Sequence, residues 1–260
     1  MNPLFNIIFG GITDQIYLGT AGADFFIAVA ANDTVFGLGG NDTIDGGIGN
    51  DIISGGEGND TLGSTSDVGN DTYSGDAGDD VIVGGSGLDV LDGGIDNDRL
   101  DGGLDADTVL GDDGNDIVIG GGGNDTVVGG AGTDIVIGVD PTSSLAGIFE
   151  IDTLVDGVAG AGQNTYVLGN RQTVFYNDTL TFLAGTTDFA VIAGFNAPAD
   201  QIQLRGAAGD YRLAASTVPN LPGTAILLTR GQLVPELIGV VQGVDPSILN
   251  LRNSNDFVYA

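Results

Sequence analysis

The chain has 260 residues, with 36 Asp and Glu against 6 basic residues and a formal net charge of −30. It has no histidine or cysteine, and all six basic residues are arginine. These absences exclude disulfide frameworks, thiol or imidazole catalysis and lysine-dependent sites. So acidic a chain is also unsuited to nucleic acid, whose binding proteins neutralise phosphates with Lys and Arg. Asp and Gly are plentiful, and both suit hard cations bound through oxygen.

Residues 1–17 precede the regular part of the chain and predict a metal-poor N-terminal cap. The apolar run 4–9 is short, is interrupted by Asn6 and lacks basic residues before it. We therefore do not expect a secretory signal peptide of the general pathway. No apolar stretch anywhere approaches the ~20 residues that cross a bilayer, so we expect no membrane span.

Residues 18–138 form a nine-residue repeat of consensus G-G-x-G-x-D-x-U-x, where U is a large apolar residue. The aspartate recurs every nine residues from Asp24 to Asp134, apart from one step of eleven between Asp60 and Asp71. Asp33 shares the frame, but residues 28–33 lack the turn glycines, so we expect the first coil to bind little metal. The candidate metal ligands are Asp24, Asp42, Asp51, Asp60, Asp71, Asp80, Asp89, Asp98, Asp107, Asp116, Asp125 and Asp134.

The repeat predicts an all-β fold, a parallel β-roll of stacked coils. Glycine-rich turns alternate with three-residue strands whose central U side chain points inward. A strand of three residues cannot bury its apolar face alone. Copies of the repeat must therefore stack, with two copies in each 18-residue coil. Equivalent aspartates then lie about 4.8 Å apart, one coil above another. Like charges at that spacing need a cation between them, and Ca²⁺ accepts six to eight oxygens in flexible geometry.

Nine pairs of aspartates on the same side lie one coil apart, and two further pairs, 51/71 and 60/80, span the eleven-residue step. We therefore predict nine to eleven calcium ions, or roughly +18 to +22 against the −25 of residues 1–140, at two charges per ion. Without metal so acidic a segment should be expanded, and metal should fold it. Thirteen aspartates in one frame, each followed two places later by a bulky residue, are not the composition of a flexible acidic linker.

This pattern resembles the repeats of RTX proteins, the secreted calcium-dependent β-roll family, over about half the chain. The resemblance implies a parallel β-roll, calcium-triggered folding and export by a type I secretion system, with its ABC exporter as a transient partner. The chain would then be secreted, in the medium or at the cell surface.

Residues 139–260 carry a less regular pattern, and we predict an antiparallel β cap that also contains the secretion signal. Expected strands lie at 174–176, 179–183, 189–192, 201–204, 225–229, 237–242 and 257–259. Residues 150–155 look like a last repeat, and residues 163–168 like another with Asn164 in the place of Asp. The stretch 189–204 resembles an element that follows many RTX arrays, although Gly194 replaces the Asp usual there. The acidic and apolar end, 256–260, resembles an uncleaved type I export signal.

The function predicted is a calcium-binding extracellular structural or adhesion protein, self-assembling at a surface, and not an enzyme. Assembly is suggested by apolar residues predicted to face outward on one sheet: Val81, Val83, Ile117, Ile119, Ile135 and Ile137. Cover from the C-terminal region is the other explanation for that patch. The alternative function is a calcium-dependent enzyme with its chemistry in 141–260. A minor alternative is ice binding by a row of Thr34, Thr72, Thr108 and Thr126, which Ile52 and Val90 interrupt.

Overall fold

A computed structural model describes residues 6–142, 150–157, 162–168, 189–197, 199–230, 235–254 and 256–260. In these ranges the chain has no α-helix, one short 3₁₀ turn at Ala208–Asp210 and 23 β-strands in two sheets. Within these ranges there is no helix that is long and apolar enough to cross a membrane.

Sheet A contains eleven strands, in the spatial order β1 (Asn6–Phe9), β3 (Asp24–Ile27), β5 (Thr43–Asp45), β7 (Thr61–Gly63), β9 (Val81–Ser86), β11 (Arg99–Leu104), β13 (Ile117–Gly122), β15 (Ile135–Val139), β17 (Thr165–Val167), β19 (Gln201–Leu204) and β23 (Phe257–Tyr259). Sheet B contains twelve, in the order β2 (Ile16–Thr20), β4 (Thr34–Gly39), β6 (Ile52–Glu57), β8 (Thr72–Ala77), β10 (Val90–Ile95), β12 (Thr108–Asp113), β14 (Thr126–Gly130), β16 (Ile151–Gly157), β18 (Phe189–Ala193), β22 (Glu236–Gln242), β21 (Gly223–Leu228) and β20 (Tyr211–Ala215).

The predicted parallel roll is confirmed. Successive repeats alternate between the two sheets, and neighbouring strands within a sheet are parallel and one coil apart, as Val90, Thr108 and Thr126 show. Many strands are longer than the predicted three residues. Most of those in the central coils have six, because pairing continues through the turn glycines, as between Gly103 and Gly121.

The apolar column predicted inside the roll is buried along its whole length. From Phe26 to Val136 every member is at most 1% exposed: Phe26, Val35, Ile44, Ile53, Leu62, Tyr73, Ile82, Leu91, Leu100, Val109, Val118, Val127 and Val136. Leu154, Tyr166, Ile192 and Ile202 extend the same core towards the C-terminus. This column holds the two sheets together, since each strand from β3 to β12 buries only one or two side chains.

The eleven-residue step introduces a carboxylate into the interior. Tyr73 is the one polar member of the predicted column, and its hydroxyl donates a hydrogen bond to Asp67 Oδ2 at 2.8 Å. Ser64 Oγ donates to the other oxygen of Asp67 at 2.9 Å. Because a buried hydroxyl without a partner is costly, Asp67 supplies the acceptor that Tyr73 needs. The sequence pattern located Tyr73 but did not reveal its partner.

Parallel stacking continues into the C-terminal region. Strands β16 and β18 extend sheet B, and β17, β19 and β23 extend sheet A, all in parallel register. The predicted antiparallel part exists, but in the described residues it is confined to β20, β21 and β22. The expected strands at 174–176 and 179–183 lie outside the described residues, and β20 was not predicted.

Two leucines of β11 test the importance of the inner column. Leu100 is fully buried and Leu104 is 60% exposed. We expect Leu100→Ala to lower the free energy of unfolding by about 2–5 kcal/mol, because it opens a cavity in a stack that cannot collapse locally. Leu104→Ala should change it by less than about 0.5 kcal/mol. Denaturant unfolding in saturating calcium measures both, and equal effects would contradict the inward assignment.

Candidate metal sites at the turns of the roll

The turns place the candidate ligands along both edges of the roll. Each aspartate directly precedes or begins a strand and follows a glycine-rich turn, as Asp98 precedes β11. All twelve predicted ligands are at most 3% exposed. Their side chains are therefore held inside the turns and away from solvent.

One carboxylate oxygen of each aspartate is used in a ladder between coils. The peptide N–H of an aspartate donates to Oδ1 of the aspartate one coil further along, at 2.7 to 3.0 Å. The pairs are 24/42, 33/51, 42/60, 51/71, 60/80, 71/89, 80/98, 89/107, 98/116, 107/125 and 116/134. The two pairs that span the eleven-residue step are made at 2.7 Å like their neighbours, so the extra residues do not break the ladder.

The second oxygen of nearly every carboxylate has no hydrogen-bond partner. In the part of the chain that the structure describes, twelve aspartates have a buried Oδ2 without one: Asp33, Asp42, Asp51, Asp60, Asp71, Asp80, Asp89, Asp98, Asp107, Asp116, Asp125 and Asp134. We call these atoms the orphan oxygens. A buried charged oxygen without a partner is strongly unfavourable, so each is suited to binding a cation.

The first glycine of each turn makes room for the orphan oxygen. A Cβ added at Gly111 would lie 2.7 Å from Asp116 Oδ2, and one at Gly120 would lie 2.6 Å from Asp125 Oδ2. The same hypothetical Cβ atoms would also meet main-chain carbonyl oxygens of the next coil, those of Gly129 and Gly138. Only glycine leaves space for both kinds of oxygen at this position.

Asp24 differs from the other predicted ligands. Its Oδ2 accepts hydrogen bonds from Thr20 N at 2.6 Å and from Thr20 Oγ1 at 3.0 Å. Asp33 was not predicted to be a metal ligand, because the turn before it lacks glycines, yet it has an orphan oxygen. The sequence frame therefore locates the ladder correctly, but it does not show which carboxylates the protein already satisfies.

The backbone of the second turn residue explains this difference. For eleven of the twelve orphan oxygens, the residue four places before the aspartate has positive φ. It is a glycine in seven turns, and in the others it is Val29, Leu38, Asp76 or Asp112. Thr20 holds the equivalent place before Asp24 without positive φ, and its N–H reaches the carboxylate. The left-handed turn thus directs that N–H away and leaves the oxygen open.

Burial raises the pKa of these carboxyl groups in the metal-free protein. Desolvation is the largest cause, the hydrogen bond from the neighbouring peptide N–H opposes it, and adjacent carboxylates raise the pKa further. The pKa reaches about 7 for Asp71, Asp80, Asp107 and Asp116, and about 8 for Asp125. The metal-free turns therefore bind protons where they lack a cation.

A second ladder, which the sequence analysis did not predict, runs through the asparagines that directly precede many of the aspartates. Asn32 Oδ1 accepts from Asn50 N at 2.8 Å, and Asn97 Oδ1 accepts from Asn115 N at 3.0 Å. These amide side chains reach forward to the next coil, whereas the aspartates reach back. The Asn-Asp dipeptides of the repeat were the available signal.

Aspartates alone do not complete a metal site. Within the described ranges no group of three or more acidic side chains converges on one point. Ca²⁺ needs six to eight oxygens, so main-chain carbonyls of the turns must supply most of them. The orphan oxygens and the turn carbonyls are both hard oxygen donors, and they fit calcium.

The raised pKa values predict an unusual pH dependence of the metal-free fold. Because these carboxyls have a higher pKa folded than the ordinary 3.8 of the unfolded chain, the folded state binds more protons. That stability is fully present below about pH 4 and is lost as the pH rises through about 6 to 8. Far-UV circular dichroism in EGTA should show unfolding over this range, and calcium should restore the fold at pH 8. If the metal-free protein kept the spectrum of the folded state through pH 8, the prediction would be contradicted.

The comparison with known families agrees with this geometry. Residues 27–62, 65–100 and 101–136 match the family model described as RTX calcium-binding nonapeptide repeat (4 copies). A search of curated proteins found no match. The matched residues form the coils whose turns contain the orphan oxygens. The matched residues are therefore RTX calcium-binding repeats, and they fold as a parallel β-roll.

Proposed function

We propose that this chain is an extracellular structural protein that folds when calcium fills the turns of its roll. The observation that carries the proposal is the row of twelve orphan oxygens, buried and without a partner. Folding the chain without cations would bury these charges at the spacing of neighbouring strands. With calcium present, the same atoms become ligands, so binding and folding are one process.

The number of ions follows from the intervals between orphan oxygens. An interval is the space between two successive orphan oxygens on one edge of the roll. The edge from Asp42 to Asp134 contains five intervals, and the edge from Asp33 to Asp125 contains another five. One ion in each interval gives ten, or roughly +20 against the −25 of residues 1–140. The aspartates would contribute Oδ2 and the turns their carbonyl oxygens.

Secretion by a type I system is consistent with this chemistry. Unfilled turns are strongly acidic, and self-repulsion keeps such a segment extended as an exporter requires. Sites of this kind in extracellular modules have affinities of about 10⁻⁴ to 10⁻³ M, so they fill outside the cell. The cytosol would then hold the chain in its unfolded form until export.

A structural or adhesive role suits the surface better than catalysis does. The predicted outward patch is partly covered: Ile119 and Ile137 are buried, whereas Val81 and Ile135 remain 39% and 40% exposed. Further apolar side chains are exposed on the N-terminal coil, among them Phe9, Ile16 and Leu18. Strands β1 and β2 also form one edge of each sheet and have a single neighbour. An end of this kind favours association with another molecule.

Asp107 tests the assignment of the ligands. It lies in the middle of its ladder, and we expect Asp107→Asn to remove a charge from two intervals and to raise the calcium concentration at half-folding several-fold. Asp105→Asn is the matched control, because Asp105 has no part in the carboxylate ladder and its positive φ tolerates Asn. Circular dichroism titrated with calcium measures both variants. Identical titrations of Asp107→Asn and the unchanged protein would refute the assignment.

Self-assembly is tested by replacing apolar residues at the N-terminal end. In saturating calcium we expect light scattering to show species larger than one chain, and Phe9→Ser combined with Leu18→Ser should shift them towards the monomer. Ile248→Ser is a control at another exposed apolar side chain, 59% exposed. A monodisperse monomer of the unaltered protein would count against assembly and would leave calcium-dependent folding unaffected.

A further inference from the structure

The ladder of sheet A ends in a turn that departs from the repeat at two positions. An asparagine stands in the place of the ladder aspartate, and an aspartate stands in the place of the first turn glycine. Asn164 stands in the place of the ladder aspartate, and its Oδ1 accepts from Asp134 N at 2.8 Å, as the carboxylates do. Asp156 stands in register with Gly129, since its neighbours Val155 and Gly157 pair with Val128 and Gly130. An aspartate therefore occupies the place of the first turn glycine.

These two side chains contact each other inside the turn. Asn164 Nδ2 donates a hydrogen bond to Asp156 Oδ1, and the residues are 1% and 3% exposed. In the regular coils the orphan oxygen lies against the glycine, as Asp134 Oδ2 does at Gly129. Here the amide N–H of Asn164 takes the position of the orphan oxygen and is partnered within the protein.

At two further positions of the same ladder, a main-chain N–H of the protein donates a hydrogen bond to the second carboxylate oxygen of the aspartate. Asp200 accepts from Asn164 N through Oδ1 at 3.1 Å and from Asn196 N through Oδ2 at 2.7 Å. At the N-terminal end Thr20 N donates to Asp24 Oδ2. Both donors lie four residues before the aspartate, and neither has positive φ. All orphan oxygens of this ladder lie between these closed ends.

We propose that the Asn164–Asp156 hydrogen bond replaces a calcium ion and closes the C-terminal end of the sheet A ladder. This inference rests on the proposed function, because it presumes that the orphan oxygens bind calcium. It also limits the ion-binding part of this ladder to the turns from Asp42 to Asp134. Tyr166, Phe195 and Ile202 belong to the core cluster that continues past this turn, and the rings of Tyr166 and Phe195 contact each other.

The exchange can be reversed by a double substitution. Asp156→Gly with Asn164→Asp restores the glycine and aspartate of a regular turn. We expect this variant to bind one calcium ion more than the unaltered protein at saturation, counted by equilibrium dialysis. Its calcium titration should also be steeper, because folding is then linked to one more ion.

Two single substitutions keep the proposal falsifiable if the double variant does not fold. Asp156→Asn preserves a polar side chain of the same size and should leave the number of bound ions unchanged. Asn164→Asp alone places two carboxylates against each other, so its folding should require several-fold more calcium. Loss of an ion in Asp156→Asn would show that Asp156 is itself a ligand and would overturn the proposal, as would an unchanged ion count in a folded double variant. If the unaltered protein bound no calcium, the proposed function would fail first and separately.

Discussion

The structure depends on carboxylates that are buried at the spacing of neighbouring β-strands. Each aspartate gives one oxygen to a peptide N–H of the adjacent coil, and this hydrogen bond fixes the side chain inside the turn. In twelve of these aspartates, Asp24 not among them, the other oxygen is then held in place without a hydrogen-bond partner. A cation is the natural complement, because neither solvent nor a protein donor reaches that atom. The same geometry that makes the metal-free form unfavourable leaves oxygen atoms suited to an ion that binds many oxygens.

Much of this could be predicted from the sequence because the repeat is nearly strict. A nine-residue period with one inward apolar residue determines the parallel stacking and the column that includes Leu91, Leu100 and Val109. The period fails to predict contacts made where it is broken. Asp67 beside Tyr73 and Asp156 beside Asn164 both follow irregular steps, and their side chains turn inward to satisfy a polar neighbour. The predicted C-terminal cap likewise underestimated the parallel stacking, because Asn164 continues the ladder with an amide in place of the carboxylate and Asp200 continues it without turn glycines.

Positive φ at the second turn residue accompanies eleven of the twelve orphan oxygens. Positive φ at the second turn residue is costly for side chains other than glycine, and most of all for the β-branched Val29, with φ of 79°. That this conformation is kept at Val29 and Leu38 indicates that stacking of the coils enforces it. A turn with ordinary φ can satisfy its carboxylate internally, as Thr20 does for Asp24, although Asp67 also lacks positive φ and leaves Asp71 Oδ2 an orphan oxygen. Local strain and an unpartnered oxygen therefore occur together in these turns, and under the proposed function a bound ion would stabilise the strained turn.

The two ladders also couple one coil to the next in opposite directions. Aspartate side chains reach back to the preceding coil, whereas asparagine side chains such as Asn97 reach forward to the following one. Each turn is thus held by the coils on both of its sides, and an ion placed between two turns orders both of them. Filling one interval fixes the ligands of the next, because Asp98 lies between Asp80 and Asp116 and belongs to both. The roll therefore has the connectivity of a one-dimensional array, in which calcium binding under the proposed function would order neighbouring coils in turn, up to the ends where protein donors satisfy the carboxylates.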